Sequence, residues 1–210
     1  GCLIIKFLNS LNGFPYLRLA NSKCLSNSIS YLVFRHDFYG TLIARLAKWH
    51  ADHGAQVRIL MSEVIANKKD RTMLYGLVES SNNIKVQEFK YNSDGGTFGD
   101  HFDQLHRTMH VKLLITLSEN PIDNVVYIGG RNIHDGFVFM QTPDHSAFPE
   151  LIQYGKHKGA DEGYAPWRDY EMRIRSKGFA EQVASHYMSL WQKDSQSYYV
   201  RSINHNIVSK

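Results

Sequence analysis

His110 and Lys112 stand two residues apart, and Gly129-Gly130-Arg131-Asn132 follows at hairpin distance. Met109 to Leu117 alternates in the manner of a strand, on which side chains two apart share a face. The spacing puts an imidazole and an ammonium side by side. Val111, Leu113, Ile115 and Leu117 turn to the opposite face, where they can bury. An imidazole titrates near neutral pH and serves as nucleophile or proton carrier. An ammonium neutralises phosphoryl oxygens, and a glycine turn lets backbone N–H groups approach them. These are the parts needed to hold and attack a phosphodiester, or half of such a site.

Other polar residues carry weaker signals. Asp169 and Glu171 share one face of a strand over Tyr170 to Arg175, where a carboxylate could hold the far nitrogen of a nucleophilic histidine. His134-Asp135 either touches a ligand or caps the next segment. Histidine is common here, with 11 in the chain, so His106 reads as an ordinary surface residue and His157-Lys158 as exposed. Arg168 and Arg173 read as solvated strand-edge arginines, Met109 and Trp167 as packing.

The elements that must position these residues follow from periodicity. Residues 1–27 are a loosely patterned lead-in, and Ile29 to Phe34 is a strand. Asp37 caps a helix whose apolar stripe is Leu42, Ile43, Leu46, Ala47 and Trp49, and Gly54 ends it. Val57 to Met61 is the next strand, so strand, helix, strand forms a parallel βαβ unit. A helix over Lys69 to Ser80 and a strand over Ile84 to Phe89 come next. Asn92 to Gly99 is a glycine-rich loop, and Gln141 to Pro166 is a long one of the kind that carries function or disorder. The helix Phe179 to Trp191 turns Val183, Tyr187, Leu190 and Trp191 inward.

Length and composition set outer bounds. With 210 residues, 43% hydrophobic and 21% charged, the chain suits one domain, 1–210, with a sizeable core. A net charge of +4 and a pI near 9.0 fit an anionic partner, phospholipid headgroups or nucleic acid, although no arginine- or lysine-rich stripe demands the latter. The only cysteines, Cys2 and Cys24, leave a single disulfide open and argue against a structural zinc site. No run approaches the roughly 18 apolar residues of a membrane-spanning helix. Gly1-Cys2 at the start reads as a trimmed boundary.

His-x-Lys followed by Gly-Gly-x-Asn resembles the signature of the phospholipase D superfamily. His110-Val-Lys-Leu-Leu-Ile, Gly129-Gly-Arg-Asn-Ile-His-Asp135 and Trp167-Arg-Asp-Tyr-Glu-Met-Arg-Ile174 are similar, in this order, to the first half of bacterial cardiolipin-synthase-type members. The resemblance covers most of the chain, except the part between Ala66 and Leu105. It implies an α/β fold with a mixed, largely parallel central sheet flanked by helices on both faces. The chain departs from the pattern twice. Where the family has an aspartate five residues after the lysine, this chain has Leu117, with Asp123 as an alternative carboxylate. There is also no second His-x-Lys.

The resemblance implies catalysis by His110, Lys112, Asn132 and Asp169, with Gly129, Gly130 and Arg131 binding substrate. His110 would attack phosphorus to give a phosphohistidine, a second histidine would protonate the leaving alcohol, and water or another alcohol would release the product. Lys112 and Asn132 would hold the phosphoryl oxygens, Asp169 would orient the imidazole, and no cofactor or metal is required. The expected substrate is a phospholipid at a membrane surface, with the chain peripheral to a bacterial envelope. Two alternatives stand beside it: a homodimeric phosphodiesterase acting on nucleic acid, and a catalytically silent module that binds anions or lipid. One motif supplies one histidine, so the other set must come from a missing C-terminal half or a second copy. Ser195 to Lys210 reads as the start of a connection. The chain alone is therefore expected to be monomeric and inactive.

Overall fold

The computed structural model describes residues 23–91, 109–139, 146, 169–192 and 198–202. They form an α/β fold around a seven-stranded mixed sheet, in the order β6-β5-β4-β1-β2-β3-β7. The strands are β1 (Cys24–Tyr31), β2 (Gln56–Ser62), β3 (Ile84–Tyr91), β4 (Leu113–Ser118), β5 (Val125–Gly129), β6 (Glu171–Arg175) and β7 (Tyr198–Ser202). Helix α1 (Phe38–Asp52) links β1 to β2 and α2 (Lys68–Ser80) links β2 to β3, and these three strands run parallel. Among the described strands, parallel pairing is confined to them. β4 joins β1 antiparallel, and β5, β6 and β7 continue antiparallel outward.

The sheet separates two cores. Ile29, Tyr31, Val57, Ile59, Met61, Ile84 and Val86 pack against Ile43, Ala47 and Ala51 of α1 and Leu74 and Leu77 of α2. On the other face Leu60, Leu113, Ile115 and Val126 meet Ala180, Tyr187 and Trp191 of α4 (Lys177–Gln192), the helix that follows the short α3 (Asp135–Val138). Ile59, Leu60 and Met61 alternate between the two cores, as the pleat requires. Burying each large side chain contributes about 1.5–3 kcal/mol. The Tyr187 hydroxyl donates to the Arg58 carbonyl at 3.1 Å, so the aromatic that fills this core leaves no stranded polar group there.

Local chemistry sets the boundaries. The Asp37 carboxylate accepts from Gly40 N at 2.9 Å and starts α1, as expected, while Gly54 takes a φ of 91° just beyond its end. Asn67 and Asp70 form a capping box on α2. Arg71 of α2 meets the fully buried Glu88 of β3 at 2.6 Å and also donates to the Ala66 and Glu63 carbonyls. A buried pair is tolerable only when its remaining donors are met in this way.

Several expectations need correction. The lead-in does not reach residue 27, because β1 begins at Cys24, whose thiol is free. The strand near the motif starts at Leu113, so His110 and Lys112 precede it, and Val111 is exposed instead of buried. Within the C-terminal stretch, Tyr198–Ser202 is a strand paired with β3. The β4–β5 hairpin turns through a 3₁₀ segment, Pro121–Asp123, and the buried Asn124 side chain accepts from Ser118 N at 2.8 Å. Asn124 therefore ties the turn together. The expected loops at 92–99 and 141–166 lie outside the described residues, apart from Ser146, as do His106, His157, Lys158, Trp167 and Arg168. Among the described residues no helix is long and apolar enough to cross a membrane.

Candidate functional site

Three consecutive antiparallel strands bring the motif residues to one end of the sheet. β4 starts there, β5 ends there and β6 starts there, with Leu113 paired to Ile128 and Gly129 to Glu171. Lys112, Gly130 to Asn132 and Asp169 are the residues just outside those strand ends. Antiparallel register alone makes neighbours of positions far apart in sequence.

Lys112 is buried at 5% exposure, and its Nζ lies 3.0 Å from His110 Nδ1 and 3.2 Å from Nε2. The ammonium also donates to the His110 carbonyl at 3.1 Å. A ring nitrogen can accept from an ammonium only in its unprotonated form, so the contact favours neutral imidazole. Partial burial first, and the Lys112 charge second, hold the His110 pKa below its ordinary value. Burial also lowers the Lys112 pKa, against the opposing field of Asp169. His110 itself is exposed at the rim.

Asn132 is buried, and its Oδ1 accepts from Val33 N at 3.2 Å. Ile133 pairs with Phe34, with Ile133 N donating to the Val33 carbonyl at 3.1 Å, so the turn after β5 is stitched to the segment after β1. With its oxygen taken, the Asn132 side chain presents its NH2 group as a donor, the polarity a phosphate needs.

The two glycines serve a different purpose from the one expected. Gly129 N donates to the Lys112 carbonyl at 3.3 Å and Gly130 N to the Tyr170 carbonyl at 3.1 Å, so both amides are used within the protein. A Cβ on Gly129 would lie 2.2 Å from the Tyr170 carbonyl oxygen, and one on Gly130 would lie 2.4 Å from Asp169 Oδ1. The glycines make room for the start of β6 and let Asp169 press against the turn. Neither glycine amide is left to face a ligand.

Asp169 reaches the site, but no hydrogen bond among the described residues joins it to His110. Its Oδ2 is buried without a hydrogen-bond partner, and its field acts on Lys112. The expected orienting bond to the imidazole is therefore not made. Arg131 and Glu171 approach loosely, Nε to Oε2 at 3.9 Å, and burial pushes the Glu171 carboxyl up to about 7. Sequence reading grouped Glu171 with Asp169 without giving it a task. Its period-two spacing from Asp169 was the available signal.

His134 and Asp135 are structural. His134 Nδ1 and Asp135 N both lie 2.8 Å from Asp37 Oδ2, and Asp135 Oδ1 accepts from Tyr39 N at 2.7 Å. His134 is the N-cap residue of the short helix Asp135–Val138, so the capping alternative holds, and in addition the Asp37 and Asp135 carboxylates close the N-terminus of α1. Burial, then the Asp37 charge, raises the Asp135 carboxyl to about 8. Met109 is buried and within 3.5 Å of the Ser30 hydroxyl, a packing residue as expected. Among the described residues no three His, Cys, Asp or Glu side chains gather as a metal site.

No protein-family model and no curated protein matches the sequence. Among solved structures, the chain is similar to a phospholipase D family member, Nuc from Salmonella typhimurium, with a TM-score of 0.49. The two share 11% sequence identity over 96% of this chain and 88% of that one, and the likeness is one of fold.

Proposed function

We propose that this chain carries one half of a phosphodiester-cleaving or phosphatidyl-transferring site that acts on phospholipids through a phosphohistidine on His110. The observation that carries this reading is the buried Lys112 ammonium set against the His110 ring, with Asn132 held by Val33 N and Asp169 nearby. A neutral imidazole beside a fixed cation is a nucleophile adjacent to a phosphate ligand. His110 nitrogen bonds to phosphorus as the bond to the leaving alcohol breaks, and that oxygen takes a proton from a second histidine. Water or an acceptor alcohol then attacks phosphorus, gives its proton to the same second histidine and frees His110. Lys112 and the Asn132 NH2 group, doubled by a second motif, stabilise the equatorial oxygens. On this reading a metal is not needed for charge neutralisation.

The second motif comes from a separate unit that carries the same residues, such as another copy of the chain. Ile128, Tyr170 and Met172, exposed at 36%, 90% and 62%, lie next to the motif residues and would pack against that unit. Binding at a membrane surface follows from a phospholipid substrate and the basic charge. Exposed Arg173, Arg175 and Lys177 near the same edge also favour a nucleic-acid phosphodiester as a second reading.

Turnover of a phosphatidylglycerol vesicle and of single-stranded DNA, each by the assembled protein with and without chelator, tests the reading. The lipid is expected to turn over, chelator to leave the rate unchanged, and acid-labile phosphate to be trapped on His110. DNA cleavage alone would move the assignment to the second reading. Chelator inhibition reversed by a divalent metal would refute the mechanism.

A further inference from the structure

Arg131 and Glu171 stand across a small pocket that Tyr31, Tyr39 and Asn132 also line. Arg131 Nε and Glu171 Oε2 are each buried without a hydrogen-bond partner, and at 3.9 Å they are too far apart to satisfy one another. Leaving such groups unmet is costly, the more so when they are charged. The same fold closes Arg71 onto Glu88 at 2.6 Å, so separation is a particular feature of the Arg131 pair. Gly129 leaves the room that Glu171 takes up: a Cβ there would stand 2.6 Å from Glu171 Cγ.

The enclosed space has room for about one water-sized group. An oxygen roughly 2.8 Å from both atoms would complete them together. It must accept from Nε–H and donate to a carboxylate, which a water or the alcohol hydroxyl that displaces it does and an ether or carbonyl oxygen does not. Asn132, a wall of this pocket, is also a phosphate ligand in the proposed function, so the hydroxyl would belong to the molecule whose phosphate is bound.

We propose that Arg131 and Glu171 form a hydroxyl-recognition subsite, selecting a phosphodiester with a free hydroxyl close to its phosphate, in a glycerol- or ribose-type alcohol. The inference rests on the phosphodiester reading of Lys112 and Asn132. It adds what the alcohol must carry. Because burial raises the Glu171 carboxyl to about 7, its accepting form grows as pH rises through neutrality, and the preference grows with it.

The test is calorimetric binding of two ligand pairs to the full chain at about pH 8, above the raised Glu171 value. sn-Glycerol 3-phosphate is compared with propyl phosphate, and uridine 3′-phosphate with its 2′-deoxy analogue. In at least one pair the hydroxylated ligand should bind roughly tenfold tighter or more, the effect of a hydrogen bond to a charged buried group. Preference in the glycerol pair marks a lipid-headgroup source and preference in the uridine pair marks RNA. Glu171→Gln should shrink the preferred ligand's advantage. Equal affinities within both pairs would overturn the subsite, and so would a preference that survives Glu171→Gln unchanged. If none of the four ligands binds, the phosphodiester reading falls too, an outcome distinct from equal binding. The paired comparison in the unaltered protein does not depend on the variant folding.

Discussion

Two polar clusters lie at opposite ends of one short run of chain, Asn132 to Asp135, and they differ in how completely they are satisfied. At the N-terminus of α1 the Asp37 and Asp135 carboxylates are fully buried, and between them accept from Gly40, Phe38, Tyr39 and Asp135 backbone N–H groups and face His134. At the strand ends Asp169 Oδ2, Glu171 Oε2 and Arg131 Nε are buried with no hydrogen-bond partner. Both clusters bury acidic groups, but only the first meets its polar atoms with hydrogen bonds inside the fold. A closed network fixes a helix, whereas an open one is poised to bind. Histidine and carboxylate content does not separate them, since each holds a histidine, two carboxylates and a neighbouring glycine.

The sharpest way to break this comparison is to remove one key group from each cluster. His110→Ala should reduce phosphodiester turnover of the assembled protein by more than about 10³-fold, the scale of losing a nucleophile, with little change in melting temperature. Asp37→Ala should do the reverse. Loss of the cap and of the partner for Asp135 N should cost about 2–4 kcal/mol by denaturant unfolding, with turnover per folded molecule retained. If the two variants fail in the same assay, the division into open and closed clusters is wrong.

Asp169→Asn sharpens it further. The Asp169 field opposes the burial that lowers the Lys112 pKa, so its removal should let that value fall again. The Lys112 cation would then be lost at lower pH. The alkaline limb of the pH–rate profile should shift toward neutrality, while a purely structural Asp169 would leave the limb in place.

The smallest effect concerns stability. Burial raises the Glu171 carboxyl from 4.5 to about 7, so the folded state holds a proton that the unfolded chain has lost. The contribution is fully present below the unfolded value and disappears as pH rises through the folded one. The melting temperature of Glu171→Gln relative to the unaltered protein should therefore climb between about pH 4.5 and pH 7 and then level off. A flat difference would show that Glu171 is not buried as described.

The elements with the strongest local signal were legible in the sequence. Asp37 as a helix cap, the apolar stripe of α1, the parallel β1–α1–β2 unit and α4 with Tyr187 and Trp191 inward follow from periodicity and capping chemistry, which act within a few residues. The spacing of His110 and Lys112 likewise announced a neighbouring pair. Where β4 begins was not legible, because Val111 continues the apolar alternation and only the missing ladder beyond Leu113 ends the strand. The role of the glycines was also hidden. Their φ angles are not positive, and what demands them is the approach of Asp169 and Glu171, about forty residues later in the sequence.

The sequence by itself determined the residue types, the two local periodicities and the helix starts, since backbone sterics and capping need no distant partner. Tertiary structure decided which polar groups are paid back. Register across β4, β5 and β6 set Lys112 against His110, spent both glycine amides inside the sheet and left Arg131 and Glu171 unmet at 3.9 Å. Those outcomes depend on distances between strand ends, which follow from which strands pair and in what register, and short-range pattern carries no record of that.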